Sequence, residues 1–314
     1  MTAALSLDRV TKRYGALTAV SDLSFDVQPG EMFGLIGPDG AGKTTTIRLL
    51  CGLLHADGGA VGVMGHDPVT AHAAVTRSVG YLSQRFSLYG DLSIDENIAF
   101  FAQIHDLWNF EDRRRRLLEL TSLLPFRSRL ADRLSGGMKQ KLALSCTLIH
   151  EPRVILLDEP TTGVDPVSRR EFWKLLAEFL EQGITILVST PYLDEAERCH
   201  RVALLHEGRL LSLDTPDRLR RSLPGQMVEA IVEDQPRAVT MLSAHAAVAD
   251  VHVFGERIHV RLEPSVTQDG AAVVRAALTT AGFVTLSTRV VPASLEDVFI
   301  AQLSGVQQDV AAGL

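Results

Sequence analysis

The chain has 314 residues, 46% of them hydrophobic and 22% charged, enough apolar material for a large core and, at this length, about two domains. Its net charge of −7 speaks against a general nucleic-acid binder, which usually carries a basic footprint. No uncharged apolar run approaches the roughly 18 residues that a bilayer span needs, and the N-terminus meets Asp8, Lys12 and Arg13 without a signal-peptide core, so a membrane role calls for a partner chain.

In chain order, the alternating or β-branched segments LSLDRV, LSFDV, MFGLIG and AVGVMG predict strands, separated by the turn signals QPGE and HADGG. Helical patterns follow. Ser93 and Glu96 form a Ser-x-x-Glu capping box at the head of SIDENIAFFAQIHDL, and a second amphipathic stretch is expected from Glu111 to Leu124, stopped by Pro125. The run Arg113 to Arg116 in it reads as a solvated face. From residue 153, apolar strands and helices alternate: RVILLDEP, a helix from Val167 to Glu181, ITILVST, a helix from Tyr192, and RVALLHEG. That order predicts a parallel sheet covered on both faces.

TPDRLRRSLPG reads as a short helix and a domain boundary. Beyond it MVEAIVE, AVTMLSA, VADVHVFGE, RIHVRLE, AAVVRAALTTAG and FVTLSTRVV follow in β-α-β-β-α-β order, a ferredoxin-like arrangement closed by the helix SLEDVFIAQLSG. Cys51, Cys146 and Cys199 are far apart and odd in number, which predicts small buried hydrophobes in a reducing compartment rather than a disulfide or zinc framework.

Three motifs carry chemistry. GPDGAGKT, Gly37 to Thr44, fits G-x-x-x-x-G-K-[ST] between a predicted strand and helix. Backbone N–H groups of such a loop cradle the α- and β-phosphates, Lys43 reaches the β- and γ-phosphates, and the Thr44 hydroxyl suits Mg²⁺. VILLDEP, Val154 to Pro160, is an apolar strand ending in two carboxylates at the sheet edge where open α/β folds hold ligands. Asp158 suits a hard cation and Glu159 suits a base for an attacking water. LSGGMKQ, from Leu134, opens a helix with Ser135, Gly136 and Gly137, a second anion-binding helix N-terminus in a chain that already has a phosphate loop.

GPDGAGKT, LSGGMKQ and LLDEP in this order resemble the ATP-binding cassette (ABC) ATPases, over about residues 1 to 220. The resemblance implies an α/β P-loop NTPase fold. Its RecA-like parallel core would carry an antiparallel β subdomain and an inserted helical subdomain at about residues 85–150, followed by a small α+β ferredoxin-like domain at 221–314. In that family two cassettes pack head to tail, so Ser135, Gly136 and Gly137 would complete the partner's ATP site. Asp165, in TTGVDP, would cross the dimer interface.

The rest of the implied site is Tyr14 stacking on adenine; Gly37, Pro38, Asp39, Gly40, Ala41, Gly42, Lys43, Thr44 and Thr45 on the phosphates; Thr44, Gln84 and Asp158 on Mg²⁺; and Glu159 with Gln84 at the attacking water. Pro191 departs from the pattern, because the family usually places a histidine there, and proline has no donor. Losing one donor to developing phosphate charge can cost on the order of 10² to 10³ in rate, which puts rapid turnover in doubt. Asp39, where asparagine is frequent, departs less.

STPYLDEAE and the tail PASLEDVF resemble ATPases of type-2 exporters whose permease is a separate chain. The implied partners are a second cassette, homo- or heterodimeric, and that permease, with RFSLYGDLS offering Phe86, Leu88 and Tyr89 to a cytoplasmic helix of it. The implied location is the cytoplasmic face of the cell membrane, with no nucleic-acid partner. Two other readings stay open at this point: a catalytically weak regulatory cassette, and a non-transport ABC ATPase.

Overall fold

A computed structural model describes residues 2–84 and 88–312, with side chains through residue 304. The chain divides into two compact units, Met1–Asp214 and Thr215–Leu314.

The first unit begins with β1 (Leu5–Tyr14) and β2 (Leu17–Val27), antiparallel and joined by a tight turn through Gly15. Then come β3 (Met32–Ile36), α1 (Lys43–Leu50), β4 (Gly58–Val63), α2 (His72–Ser78) and β5 (Val79–Leu82). β2, β1 and β4 form the antiparallel sheet, order β2-β1-β4, and drive Leu5, Leu7, Val10, Leu23 and Val27 into the core. The inserted helical region holds α3 (Ile94–Ile104), α4 (Glu111–Leu120), two 3-10 turns and α5 (Gly136–Leu148). β6 (Val154–Asp158), α6 (Pro166–Glu181), β7 (Thr185–Thr190), α7 (Leu193–Ala196), β8 (Arg201–His206) and β9 (Arg209–Asp214) complete the unit.

Its larger sheet has the order β5-β6-β7-β3-β8-β9, parallel except for the β8–β9 hairpin. Every residue of β3, β6 and β7 is buried, the mark of strands covered on both faces. The β8–β9 turn is Glu207-Gly208, both at positive φ (47° and 76°), the geometry of a two-residue hairpin that follows the right-handed strand twist.

The helix starts obey local chemistry. Ser93 and Glu96 form the expected reciprocal box: Ser93 N–H donates to Glu96 Oε2 at 2.7 Å and Glu96 N–H to Ser93 Oγ at 3.2 Å. Two extents differ from expectation. α4 stops at Leu120, because Ser122 turns left-handed (φ 58°), and Pro125 lies inside a 3-10 turn instead of ending the helix. The helix expected from Tyr192 is a single turn, Leu193–Ala196. The arginine run is also less solvated than its composition suggests. Arg113 donates to the Ile149 carbonyl and pairs with Glu151 at 2.7 Å, while Arg114 approaches Asp95 at 3.7 Å.

The second unit comprises α8 (Pro216–Ser222), β10 (Met227–Val232), α9 (Gln235–Ser243), β11 (Val248–Phe254), β12 (Arg257–Leu262), α10 (Gly270–Thr280), β13 (Thr285–Val291) and α11 (Leu295–Ala312). The sequence reading divides the chain at 220/221; the contact boundary lies at 214/215, so α8, capped by Thr215, goes with this unit. The sheet order β11-β12-β10-β13, all antiparallel, is the ferredoxin-like order. α9 and α10 bury Ala238, Leu242, Val274 and Leu278 against Val228, Ala230, Ile258 and Val260. The PASLEDVF segment is a capped helix start: Ser294 N–H and Oγ both donate to Asp297 Oδ2 at 2.7 Å, and Asp297 Oδ1 lies 2.9 Å from His259 Nδ1 on the sheet.

Cys146 and Cys199 are buried, Cys51 is half-buried, and all three are free. Burial pushes all three thiols up, Cys51 to about 12.

Candidate functional site

The ends of β3 and β6, separated in the sheet by β7, hold the phosphate loop and the carboxylate pair side by side. Gly42 stands at φ 96°, a conformation that L side chains rarely adopt, and a Cβ there would meet the Ala19 carbonyl oxygen at 2.5 Å. α1 therefore starts with no side-chain cap and no acid in its first turn, leaving its N-terminal field to whatever enters.

An open pocket of about 1000 Å³ lies over this loop, lined by Asp39, Gly40, Ala41, Gly42, Lys43, Thr44 and Thr45, by Gln84 and Glu159, and by Tyr14 at its rim. Tyr14 is 46% exposed, with the Lys12 ammonium 5.7 Å from its ring centroid. Lys43, only 4% exposed, donates to the carbonyls of Gly37 (2.8 Å) and Pro38 (3.0 Å) and pairs with Glu159 Oε1 at 3.1 Å. Glu159 Oε2 accepts from Gln84 Nε2 at 3.1 Å and from Thr162 Oγ1 at 3.4 Å. Its backbone is left-handed (φ 49°), a strained conformation for a glutamate that its N–H stabilises by bonding the Ser189 hydroxyl and carbonyl.

Asp158, 1% exposed, lies one step deeper. Its Oδ1 accepts from Thr44 Oγ1 at 3.1 Å and Ser189 Oγ at 2.8 Å, whereas its Oδ2 is buried with no partner. Burial holds its carboxyl above the usual range, opposed by the two hydroxyl bonds. A buried unpaired carboxylate oxygen next to a threonine hydroxyl fits a hard cation.

The signature residues lie elsewhere: none of Ser135, Gly136 and Gly137 lines this pocket, nor does Asp165. Ser135 caps α5 by accepting from Met138 N–H at 3.3 Å. A Cβ on Gly136 would meet nothing within 4 Å, but one on Gly137 would strike the Ser168 side chain at 2.3 Å, so Gly137 lets α5 and α6 approach while Gly136 faces open space. Asp165 caps α6 by accepting from Val167 and Ser168 N–H groups, and the Ser168 side chain, followed by these N–H bonds, holds its carboxyl below the usual range.

Pro191 follows β7 and supplies no donor. Among the described residues lining the pocket there is no histidine. His200 Nδ1 accepts from Met32 N–H at 3.0 Å, and His150 Nε2 lies 3.1 Å from the Val79 carbonyl, so both are engaged away from it. Arg85 and Phe86 lie outside the described residues. Tyr89 packs edge-on against Phe100, and the buried Asn97 side chain bonds the Tyr89 N–H and the carbonyls of Tyr89, Leu92 and Ser93.

Three contributors escaped the motif reading. Ser189 holds both carboxylate residues, and its signal was a hydroxyl at the end of an apolar strand. Glu207 and Arg209 reach the pocket rim because the hairpin folds over the loop, with Gly208 N–H donating to the Ala41 carbonyl at 3.2 Å.

Among the described residues no helix is long and apolar enough to cross a membrane. The ABC transporter family profile matches residues 20–162. The Escherichia coli (strain K12) "Probable multidrug ABC transporter ATP-binding protein YbhF" is 42% identical over 274 residues, 85% of this chain and 47% of that protein, so the chain spans about half the length of that relative. "Nod factor export ATP-binding protein I" of Paraburkholderia xenovorans (strain LB400) is 40% identical over 241 residues, 76% of this chain and 79% of that one. A solved structure described as the ATP-binding subunit of an ABC transporter superposes with a TM-score of 0.64 at 32% identity, covering 70% of this chain and 93% of the other. With its phosphate loop, its carboxylate strand and the exposed Ser135-Gly136 start of α5 in one unit, the chain belongs to the ABC transporter family as an ATP-binding cassette.

Proposed function

We propose that the chain hydrolyses ATP between two cassettes and thereby energises a separate membrane permease in the export direction, working as a peripheral subunit on the cytoplasmic face of the membrane. One observation carries the reading: Lys43, Thr44, Glu159 and Gln84 line one pocket, with Asp158 bonded to Thr44 just beneath it, while Ser135, Gly136 and Asp165 are not part of its lining. An anion site at a helix N-terminus that its own chain's phosphate loop does not use is explained when a second cassette presents it. The name of one relative, Nod factor export ATP-binding protein I, supports the export direction.

In this reading Lys43 exchanges its loop carbonyls and Glu159 for the β- and γ-phosphates. That exchange releases a Glu159 oxygen to accept a proton from an attacking water that Gln84 orients. Tyr14 stacks on the base, Gly37 to Thr45 hold the phosphates, and Asp158 through its unpartnered Oδ2, Thr44 through Oγ1 and Gln84 would hold Mg²⁺. An ion bound there would supply charge neutralisation for the transferred phosphate. ATP must bind the closed dimer more tightly than the open one for the cycle to do work.

Pro191, with no histidine among the described residues lining the pocket, favours a second reading, a slow cassette paired with a faster one. Both readings meet one experiment on the purified chain. MgATP hydrolysis that Glu159→Gln abolishes supports the first, and nucleotide binding with no turnover supports the second. Lys43→Ala is expected to remove ATP binding, and Ser135→Arg to leave binding intact while blocking ATP-dependent dimerisation in light scattering; normal hydrolysis by the Ser135 variant refutes the shared site.

A further inference from the structure

Behind the Glu159 loop lies a buried carboxylate that this mechanism does not use. Glu195, on the one-turn helix α7, is 1% exposed. Each of its oxygens takes a threonine hydroxyl: Thr161 Oγ1 donates to Oε1 and Thr190 Oγ1 to Oε2, both at 2.6 Å. Both threonines are buried. Arg169 of α6 approaches Oε1 at 3.6 Å, its guanidinium lying over the Tyr192 ring at 4.5 Å.

The segments tied together all adjoin residues assigned to the site. Thr161 comes two residues after Glu159, and its carbonyl accepts from Val164 N–H at 3.1 Å in the turn that leads to Asp165. Thr190 follows Ser189, which bonds Asp158 and the Glu159 N–H, and the Thr190 carbonyl accepts from Gly37 N–H, where the phosphate loop begins. Arg169 belongs to the helix that Asp165 caps. Short charge-assisted bonds to two opposed hydroxyls leave neither loop free to shift without the other.

We infer that Glu195 is a positioning residue that locks the loop after β6 to the end of β7. A single carboxylate thereby sets Glu159 in this chain's site and the Asp165 turn offered to the partner's. The inference rests on the proposed function for its catalytic consequence, though not for its structural one.

The test uses the full chain as wild type, Glu195→Ala, Glu195→Gln and Thr161→Val/Thr190→Val. Binding of a fluorescent ATP analogue, kcat and KM for MgATP hydrolysis, and amide hydrogen exchange are measured on each. Nucleotide affinity is expected within about threefold of wild type, because Lys43 and the loop amides remain. Displacement of a reacting group by about 1 Å can lower a rate on the order of 100-fold. kcat is therefore expected to fall at least tenfold in the alanine and double-valine variants, with KM little changed. Glutamine, which keeps one acceptor, should recover part of the loss. Exchange should accelerate at residues 159–165 and 190–192 ahead of the rest of the unit.

A folded alanine variant with wild-type kcat and wild-type protection in those segments overturns the inference, as does a kcat loss that only follows global unfolding. If the alanine variant does not fold, the glutamine and double-valine variants decide the question by the same criteria. If the wild type does not hydrolyse ATP, or Glu159→Gln hydrolyses it normally, the functional reading fails. The exchange pattern then decides the positioning inference without it.

Discussion

The Lys43–Glu159 pair is open to a sharp test without any knowledge of the transported substrate. The two groups are 4% and 7% exposed and 3.1 Å apart. At an effective dielectric near 20 their gross attraction is about 5 kcal/mol. Truncating one member of a buried pair usually destabilises by about 3–5 kcal/mol, because the other charge is left uncompensated. Here Glu159 keeps Gln84 and Thr162 and lines an open pocket, so Lys43→Met is expected at or just below the low end of that range, about 2–3 kcal/mol.

For a unit of this size that is a fall of roughly 5–10 °C in melting temperature. Glu159→Gln in the same chain removes the orphaned charge, and the double variant should recover at least half of the loss. The assay is thermal and urea unfolding of the four proteins of the cycle, with and without ATP. ATP at 100 times its Kd stabilises the wild type by about 2.7 kcal/mol and should leave the Lys43 variants unmoved. A single-variant loss under about 1 kcal/mol together with additive behaviour in the cycle refutes the argument that this pair holds the empty site together.

Asp158→Asn removes a desolvated charge while its Oδ1 can still accept from Thr44 and Ser189, so the nucleotide-free chain should gain on the order of 1 kcal/mol at neutral pH while Mg²⁺-dependent turnover disappears; calorimetry and hydrolysis read the two effects. The sign follows from its raised folded-state pKa: its contribution is present in acid and is lost as pH rises through that value, and the asparagine variant should lack this dependence. Burial, with a smaller push from the stacked His105, lowers His150 to about 4, so stability present above the ordinary histidine value of 6.5 should be lost as pH falls toward 4. His150→Gln should flatten that loss in urea unfolding at pH 7 and 4.5, and an unchanged slope assigns it to other groups. Gly137→Ala should destabilise by about 1–3 kcal/mol by forcing α5 off Ser168. Gly136→Ala, with open space around it, should be neutral or slightly stabilising in melting experiments and yet weaken ATP-dependent dimerisation.

Much of the cassette is legible along the chain because its signals are local. The phosphate loop needs a glycine turn between an apolar strand and a helix, all within a few residues of Gly37 to Thr44. The capping box at Ser93 is a three-residue contact, and the C-terminal strand order follows from alternating periods. The misread extents are also local in cause: α4 ends where Ser122 turns left-handed, a conformation no periodicity announces.

Arg113 and Arg114 differ for another reason, while Arg115 and Arg116 stay exposed. A composition rule sees four charges on a helix, but the Ile149 carbonyl and Glu151 come from a segment more than 30 residues away.

What the sequence by itself determined, then, was the inventory of chemistry and the order of the elements, since turn conformation, helix caps and strand alternation depend on neighbours along the backbone. Only the tertiary structure decided which groups meet: Glu159 with Lys43, Ser189 with both carboxylate residues, the Glu207-Gly208 hairpin over the phosphate loop, and Glu195 between two threonines. Those meetings depend on the sheet order β5-β6-β7-β3-β8-β9, which sets β7 between the phosphate-loop and carboxylate strands. That order is fixed by burying apolar faces across long loops, a cooperative condition on the whole unit that no single stretch of residues expresses.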